Sequence, residues 1–171
     1  MSALARFFNN RDVDIFGYDL SETSLTRKLE AEGMKIHYTI DPDLIPEDID
    51  LVVYTPAIPN DNVEFKTLKR SSIPMFKRAE LLGLISKDYK CIAVAGTHGK
   101  TSTSAVIAHL LKYCGLDVSA FIGGILAEEK TNYIQGRSEY VVLEADEYDR
   151  SFLHLHPEIL LINSLDADHL D

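Results

Sequence analysis

The sequence predicts an α/β protein with parallel sheets, organised as two units. Three observations carry this reading. Short apolar runs of strand type alternate with helical patterns along the chain, the order that forms parallel sheets flanked by helices. The run Cys91 to Ala95 passes through the loop "GTHGKTS" into a helical pattern, and strand, glycine loop, helix is the order of a phosphate cradle. The polar joint "SKDYK", Ser86 to Lys90, separates an α/β pattern without such a loop from one that has it, which puts the units at residues 1–87 and 88–171.

Taken in order, "MSALARFF" has the pattern of an amphipathic helix body, and "VDIFGYDL", Val13 to Leu20, reads as a strand ending in an acid. In "SETSLTRKLEAEG", Ser21 stands as the cap with Ser24 three residues later, Leu25 and Leu29 keep helical spacing, and Gly33 stops the helix. Asp50 to Thr55 is an apolar strand, followed by the loop "PAIPNDN" and a helix near Val63 to Arg70. A helix over about Arg78 to Ile85 leads to the strand Cys91 to Ala95. The helix from Lys100 to Cys114 is closed by Gly115, and "VSAFIGG", "EYVVLEAD" and "PEILLINSLDADHLD" each hold a strand-like core.

With 171 residues, 46% of them hydrophobic and 26% charged, the chain can bury a substantial core. A formal net charge of −10 argues against general binding to nucleic acid or to an anionic membrane, both of which need cationic surface. It leaves room for a local basic pocket. The two cysteines, Cys91 and Cys114, lack CxxC spacing and read as reduced thiols, consistent with a cytoplasmic protein. No signal peptide and no apolar run near membrane-spanning length is visible.

The loop at Gly96 to Ser102 carries the clearest chemistry. A loop at a helix N-terminus aims backbone N–H groups at one spot, the helix dipole favours anions there, and glycines allow close approach. Gly96, Thr97, His98, Gly99, Lys100, Thr101 and Ser102 are therefore the expected nucleotide-binding residues. Lys100 can reach the β/γ-phosphates of ATP, and the Thr101 hydroxyl can bind the Mg²⁺ that travels with it. Val94 stands where the usual G-x-x-x-x-G-K-[ST] pattern has its first glycine, so the loop is a shortened variant. The plain alternative is a tight strand-to-helix turn that happens to contain "GK".

Three ordered segments, "AGTHGKTSTS", "EADEYDRSFLHLHPEI" and "NSLDADHLD", resemble the Mur ligase family of bacterial cell-wall synthesis. "RAELLGLI" and "GYDL…LEAEG" resemble it as well, so the likeness covers essentially the whole chain. The forms "HGKT" and "SFLHLHP" favour the branch that joins L-alanine to UDP-N-acetylmuramate. The resemblance implies a Rossmann-like UDP-sugar domain, a central ATPase domain and a C-terminal domain that helps bind ATP and the amino acid. On that comparison the chain holds most of the first, part of the second and none of the third. The family's glycine-rich "GxGGxGM" segment would end at Met1, so UDP-sugar binding by this stretch alone is in question. An incomplete N-terminal sheet is also expected to favour self-association through its open edges.

The implied reaction is ATP-driven amide formation through an acyl phosphate, with UDP-N-acetylmuramate, L-alanine and ATP as small-molecule substrates. Lys100 and Glu144 are the expected catalytic residues with His169, and Thr101, Glu144 and His169 the expected Mg²⁺ ligands. Glu144 closes the strand in "YVVLEAD", where a carboxylate sits beside the neighbouring strand's loop. The role of His169 rests on the resemblance. Asp146, Glu147 and Asp149 crowd one turn, either as part of an ion site or as a solvated acidic turn capping a helix near Ser151. His154 and His156 lack a third ligand and read as structural or surface residues.

In the first unit, Asp19 ends one strand and Thr55 and Ala57 follow another, positions where such folds hold a sugar nucleotide. Tyr148 departs from the serine of many L-alanine ligases and keeps open a related ligase that recycles UDP-N-acetylmuramate by adding a tripeptide. A non-catalytic nucleotide-binding module is the reading from another class. Without a C-terminal domain the 171 residues alone are expected to show no ligase turnover.

Overall fold

The computed structural model describes residues 1–126, 131–145 and 152–166. It is an α/β structure of two compact units, Met1–Arg78 and Ala79–Asp171. The division falls before the polar joint at Ser86 to Lys90, because the helix preceding that joint belongs with the second unit. Ser86 Oγ accepts a hydrogen bond from the His156 N–H at 2.9 Å, and Gly83 packs so closely on His154 that a Cβ would strike its carbonyl oxygen.

The first unit runs α1 (Ser2–Asn9), β1 (Phe16–Tyr18), α2 (Ser24–Ala31), β2 (Lys35–His37), a 3₁₀ turn (Pro42–Leu44), β3 (Val52–Tyr54), α3 (Val63–Arg70) and β4 (Met75–Lys77). β1 pairs parallel with β2, and β3 parallel with β4, as two separate pairs. Parallel neighbours need a crossover, and α2 and α3 supply it. The strand expected over Val13 to Leu20 is shorter than its apolar run, and β2 and β4 were not anticipated.

The cap of α2 is Thr23 rather than Ser21. Thr23 Oγ1 accepts from the Thr26 N–H at 3.1 Å, and Thr26 Oγ1 accepts from the Thr23 N–H at 2.8 Å, a capping box built from two threonines. Ser21 is engaged earlier, its N–H donating to Asp19 Oδ1 at 3.4 Å. The α1 helix buries Ala3, Leu4 and Phe7 as its pattern predicts, and Arg6 with them at 6% exposure. The Arg6 guanidinium meets the Glu32 carboxylate at the C-cap of α2 with two bonds of 2.8 Å. On α3, the buried Glu64 carboxylate accepts from the Asp41 N–H at 2.7 Å and lies 3.0 Å from His37 Nε2, tying β2 to the first turn of that helix.

The second unit contains α4 (Arg78–Asp88), β5 (Lys90–Ala95), α5 (Lys100–Tyr113), β6 (Ser119–Phe121), β7 (Tyr133–Ile134), β8 (Tyr140–Glu144) and β9 (Ile159–Ile162). Its sheet has the order β7-β6-β8-β5-β9, parallel throughout except for β7 against β6. Central parallel strands are covered on both faces, so β5 and β8 read as continuous apolar runs. Cys91, Val94, Val141 and Val142 are fully buried accordingly. Under α5, Ile92, Val118, Ala120, Ile122, Ile134 and Val142 close around Ala108. Burial, with Glu158 nearby, pushes the Cys91 thiol up to about 12, so it stays neutral and inert, whereas Cys114 is exposed. Among the described residues no helix is long and apolar enough to cross a membrane.

Candidate functional site

The register of the second sheet assembles the site. Val94 lies opposite Glu144 and Ala95 opposite Ile162, so β5, β8 and β9 end at one edge of the sheet. Ligands of open α/β sheets bind beyond the C-terminal ends of strands, and the expected chemistry-bearing residues stand there. The chain leaves β5 at Ala95, turns through Gly96 to Gly99, and enters α5 at Lys100 with Gly99 as its N-cap.

Gly96 and Gly99 adopt left-handed φ values of 124° and 79°. At Gly96 the demand is doubled, because a Cβ there would lie 2.9 Å from both the N and O of Ser164. Lys100 Nζ donates to Gly96 O at 2.5 Å and Thr97 O at 3.3 Å, which holds the ammonium over the loop. Thr101 opens the helix beside it, and its Oγ1 donates to Glu144 Oε1 at 2.9 Å. Glu144 Oε2 accepts from the Gly123 N–H at 2.6 Å. A Cβ at Gly123 would sit 2.7 Å from Glu144 Oε1, so a side chain there would displace this carboxylate from its present position.

A short segment after β9 lies along the other side of the loop. The Thr97 N–H donates to Ser164 O at 3.0 Å, the His98 N–H to Ser164 Oγ at 3.1 Å, and the Asp166 N–H to Thr97 Oγ1 at 3.0 Å. Asn163 Nδ2 donates to Thr103 Oγ1 at 2.9 Å and to His98 O at 3.3 Å. The exposed His98 ring has Nε2 3.7 Å from Asp166 Oδ2. Ser102 is exposed on the first turn of α5.

The structure thus brings Gly96, Thr97, His98, Gly99, Lys100, Thr101 and Glu144 to one place. His169 lies outside the described residues, as do Asp146, Glu147, Tyr148 and Asp149. His154 and His156 are exposed, and among the described residues no group of three or more His, Cys, Asp or Glu could hold a metal ion. In the first unit Asp19 follows β1, its N–H donating to His37 O at 3.1 Å, and Thr55 follows β3, its carbonyl accepting from the Ile58 N–H at 3.2 Å in a turn that contains Ala57. Sequence reasoning missed Gly123 and the pair Asn163–Ser164. The signals were a glycine pair after a strand core for Gly123 and, for Asn163 and Ser164, the opening of the segment "NSLDADHLD" at the end of an apolar run, with no role attached to either residue.

Residues 1–90 match the family described as "Mur ligase family, catalytic domain", and residues 94–171 match "Mur ligase middle domain". The chain belongs to the Mur ligase family. Among Mur ligases it is 49% identical to the UDP-N-acetylmuramate--L-alanine ligase of Christiangramia forsetii and 47% identical to that of Cytophaga hutchinsonii, each over all of this chain and 39% of the relative. The chain therefore spans about two fifths of the length of these curated relatives.

Two crystal structures of Mur ligases show the same fold. The UDP-N-acetylmuramate-alanine ligase of Thermotoga maritima superposes with a TM-score of 0.89 at 34% identity, over 99% of this chain and 40% of that one. The UDP-N-acetylmuramate:L-alanyl-gamma-D-glutamyl-meso-diaminopimelate ligase of Neisseria meningitides gives a TM-score of 0.89 at 25% identity, over all of this chain and 59% of that one. Both units are α/β with parallel strands, the fold of these Mur ligases, and residues 94–171 carry the family's middle domain.

Proposed function

We propose that the chain carries the nucleotide-binding part of an ATP-dependent ligase that joins L-alanine to the lactyl carboxylate of UDP-N-acetylmuramate in peptidoglycan synthesis. The observation that carries this is the Glu144 carboxylate, held between the Thr101 hydroxyl and the Gly123 N–H at the edge of the phosphate loop. A turn that only reversed the chain would have no use for a fixed carboxylate beside its lysine and threonine. The matching names of the relatives at 47–49% identity support the L-alanine branch.

The residues fit ATP and Mg²⁺. Hard oxygen donors 2.9 Å apart on Thr101 and Glu144 suit Mg²⁺, and Gly96 lets the loop backbone come close at the N-terminus of α5. Thr101 and Glu144 would hold the ion, with His169 as a further ligand, and the ion would neutralise phosphate charge. Lys100 turns from the loop carbonyls to the β/γ-phosphates and stabilises the charge that builds as the γ-phosphoryl leaves ADP. A lactyl carboxylate oxygen bonds to that phosphorus and ADP departs. The alanine nitrogen then bonds to the acyl carbon, phosphate leaves, and the amine gives up a proton. Asp19, Thr55 and Ala57 are proposed for the UDP-sugar, and the cytoplasm is the proposed location because the reaction consumes ATP.

The test uses a full-length ligase carrying these 171 residues. Phosphate release with ATP, Mg²⁺ and UDP-N-acetylmuramate is expected to depend on L-alanine. Dependence on the tripeptide L-Ala-γ-D-Glu-meso-diaminopimelate instead would assign the chain to the recycling branch, which the likeness to the Neisseria structure keeps as the second reading. Nucleotide binding with no release in either case would make it a binding module.

A further inference from the structure

We propose that Asn163 and Ser164, directly after β9, are positioning residues that set the conformation of the phosphate loop for nucleotide. The inference rests on the loop being the nucleotide site, and it assigns to β9 a part in that site that no loop motif encodes.

The geometry is selective. The Thr97 and His98 N–H groups both point at Ser164, one to its carbonyl at 3.0 Å and one to its hydroxyl at 3.1 Å. They are therefore turned toward β9, and the anion is left to Lys100 and to the first-turn N–H groups of α5, which helix geometry leaves without intrahelical partners. Asn163 adds a cross-brace. Its single Nδ2 spans the loop at His98 O and the helix at Thr103 Oγ1, which uses both protons of one amide nitrogen. Its own N–H donates to Ala95 O at 3.0 Å, so the brace is anchored at the last residue of β5.

The requirement for glycine at position 96 follows from the same contact, because a Cβ there would meet Ser164 N and O and Asn163 N at 2.9–3.0 Å. The loop and the segment after β9 are thus fitted to one another. An isosteric change at Asn163 separates shape from chemistry: Asn163→Asp keeps the volume but offers only acceptors, so it repels His98 O. Ser164→Ala removes the one acceptor of the His98 N–H, and Ser164→Thr keeps it.

Two measurements test this on the chain itself. Titration with ADP and Mg²⁺ is expected to show Asn163→Asp and Ser164→Ala binding about tenfold more weakly, the worth of one such hydrogen bond, with Ser164→Thr near the wild type. Amide hydrogen exchange is expected to speed up at His98 in Ser164→Ala while Thr97, held by the backbone carbonyl, stays protected. In a full-length ligase the KM for ATP rises and the KM for the amino acid does not. Unchanged ADP affinity and unchanged His98 exchange would overturn the proposal, as would equal loss for both substrates together with a lower melting temperature. If the wild-type chain binds no nucleotide, the reading of the loop as a nucleotide site fails, and the positioning proposal falls with it even where exchange shows the brace.

Discussion

Lys100→Ala lowers kcat about a thousandfold in a full-length ligase carrying these residues, while the melting temperature stays near that of the parent. Removing one preorganised charge-stabilising group from a site of this kind costs about 10²–10³ in rate, and a lysine aimed at the transferring phosphoryl stands at the upper end. The loop keeps its shape through other bonds, since the Thr97 and His98 N–H groups are held by Ser164 independently of the ammonium's contacts to the Gly96 and Thr97 carbonyls. Steady-state phosphate release at saturating ATP reads the effect. A rise in KM for ATP at constant kcat would instead make Lys100 a uniform binding residue and take it out of the chemistry.

Arg6→Ala destabilises the first unit by about 3 kcal/mol, the low end of the cost of breaking a buried ion pair. The Arg6 side chain is 7% exposed and makes two 2.8 Å bonds to Glu32, whose side chain is 38% exposed, so water rescues only part of what the carboxylate loses. Arg6 is itself a buried residue of α1, so the burial of its stem is lost as well. Thermal unfolding followed by circular dichroism, at low and at high salt, checks both parts. A loss under about 0.5 kcal/mol that vanishes in salt would place the pair with ordinary surface ion pairs.

What the sequence disclosed and what it hid divide along a physical line. The phosphate loop was legible because glycines, a lysine and a hydroxyl at fixed offsets between an apolar strand and a helix have few other uses, and β5 and α5 lie where the pattern puts them. Glu144 was legible because it closes an apolar run. β2, β4 and β7 were not, since two or three residues show no period and their pairing depends on partners distant in the chain. The α2 cap shifted from Ser21 to Thr23 because a threonine at the third helical position can reciprocate like the usual glutamate or glutamine.

Gly123, Asn163 and Ser164 stayed hidden for a different reason. Each matters only through a register, Val94 opposite Glu144 or Ala95 opposite Ile162, that brings strand ends together from far apart in sequence. The place of α4 was hidden in the same way, because it is tied to the second unit by Ser86 and Gly83, residues that look like ordinary helix interior.

The central claim is that Thr101 and Glu144 form the cation side of a nucleotide site whose anion side is the loop at Gly96 to Lys100. Its most direct measurement is the calorimetric titration of ADP into the chain with Mg²⁺ and with EDTA, repeated on Glu144→Gln. Mg²⁺ is expected to tighten ADP binding to the wild type about tenfold or more, the scale on which supporting residues alter metal affinity, and to have little effect on Glu144→Gln. Equal affinity with and without Mg²⁺ in the wild type, or an undiminished Mg²⁺ effect in Glu144→Gln, would contradict the account.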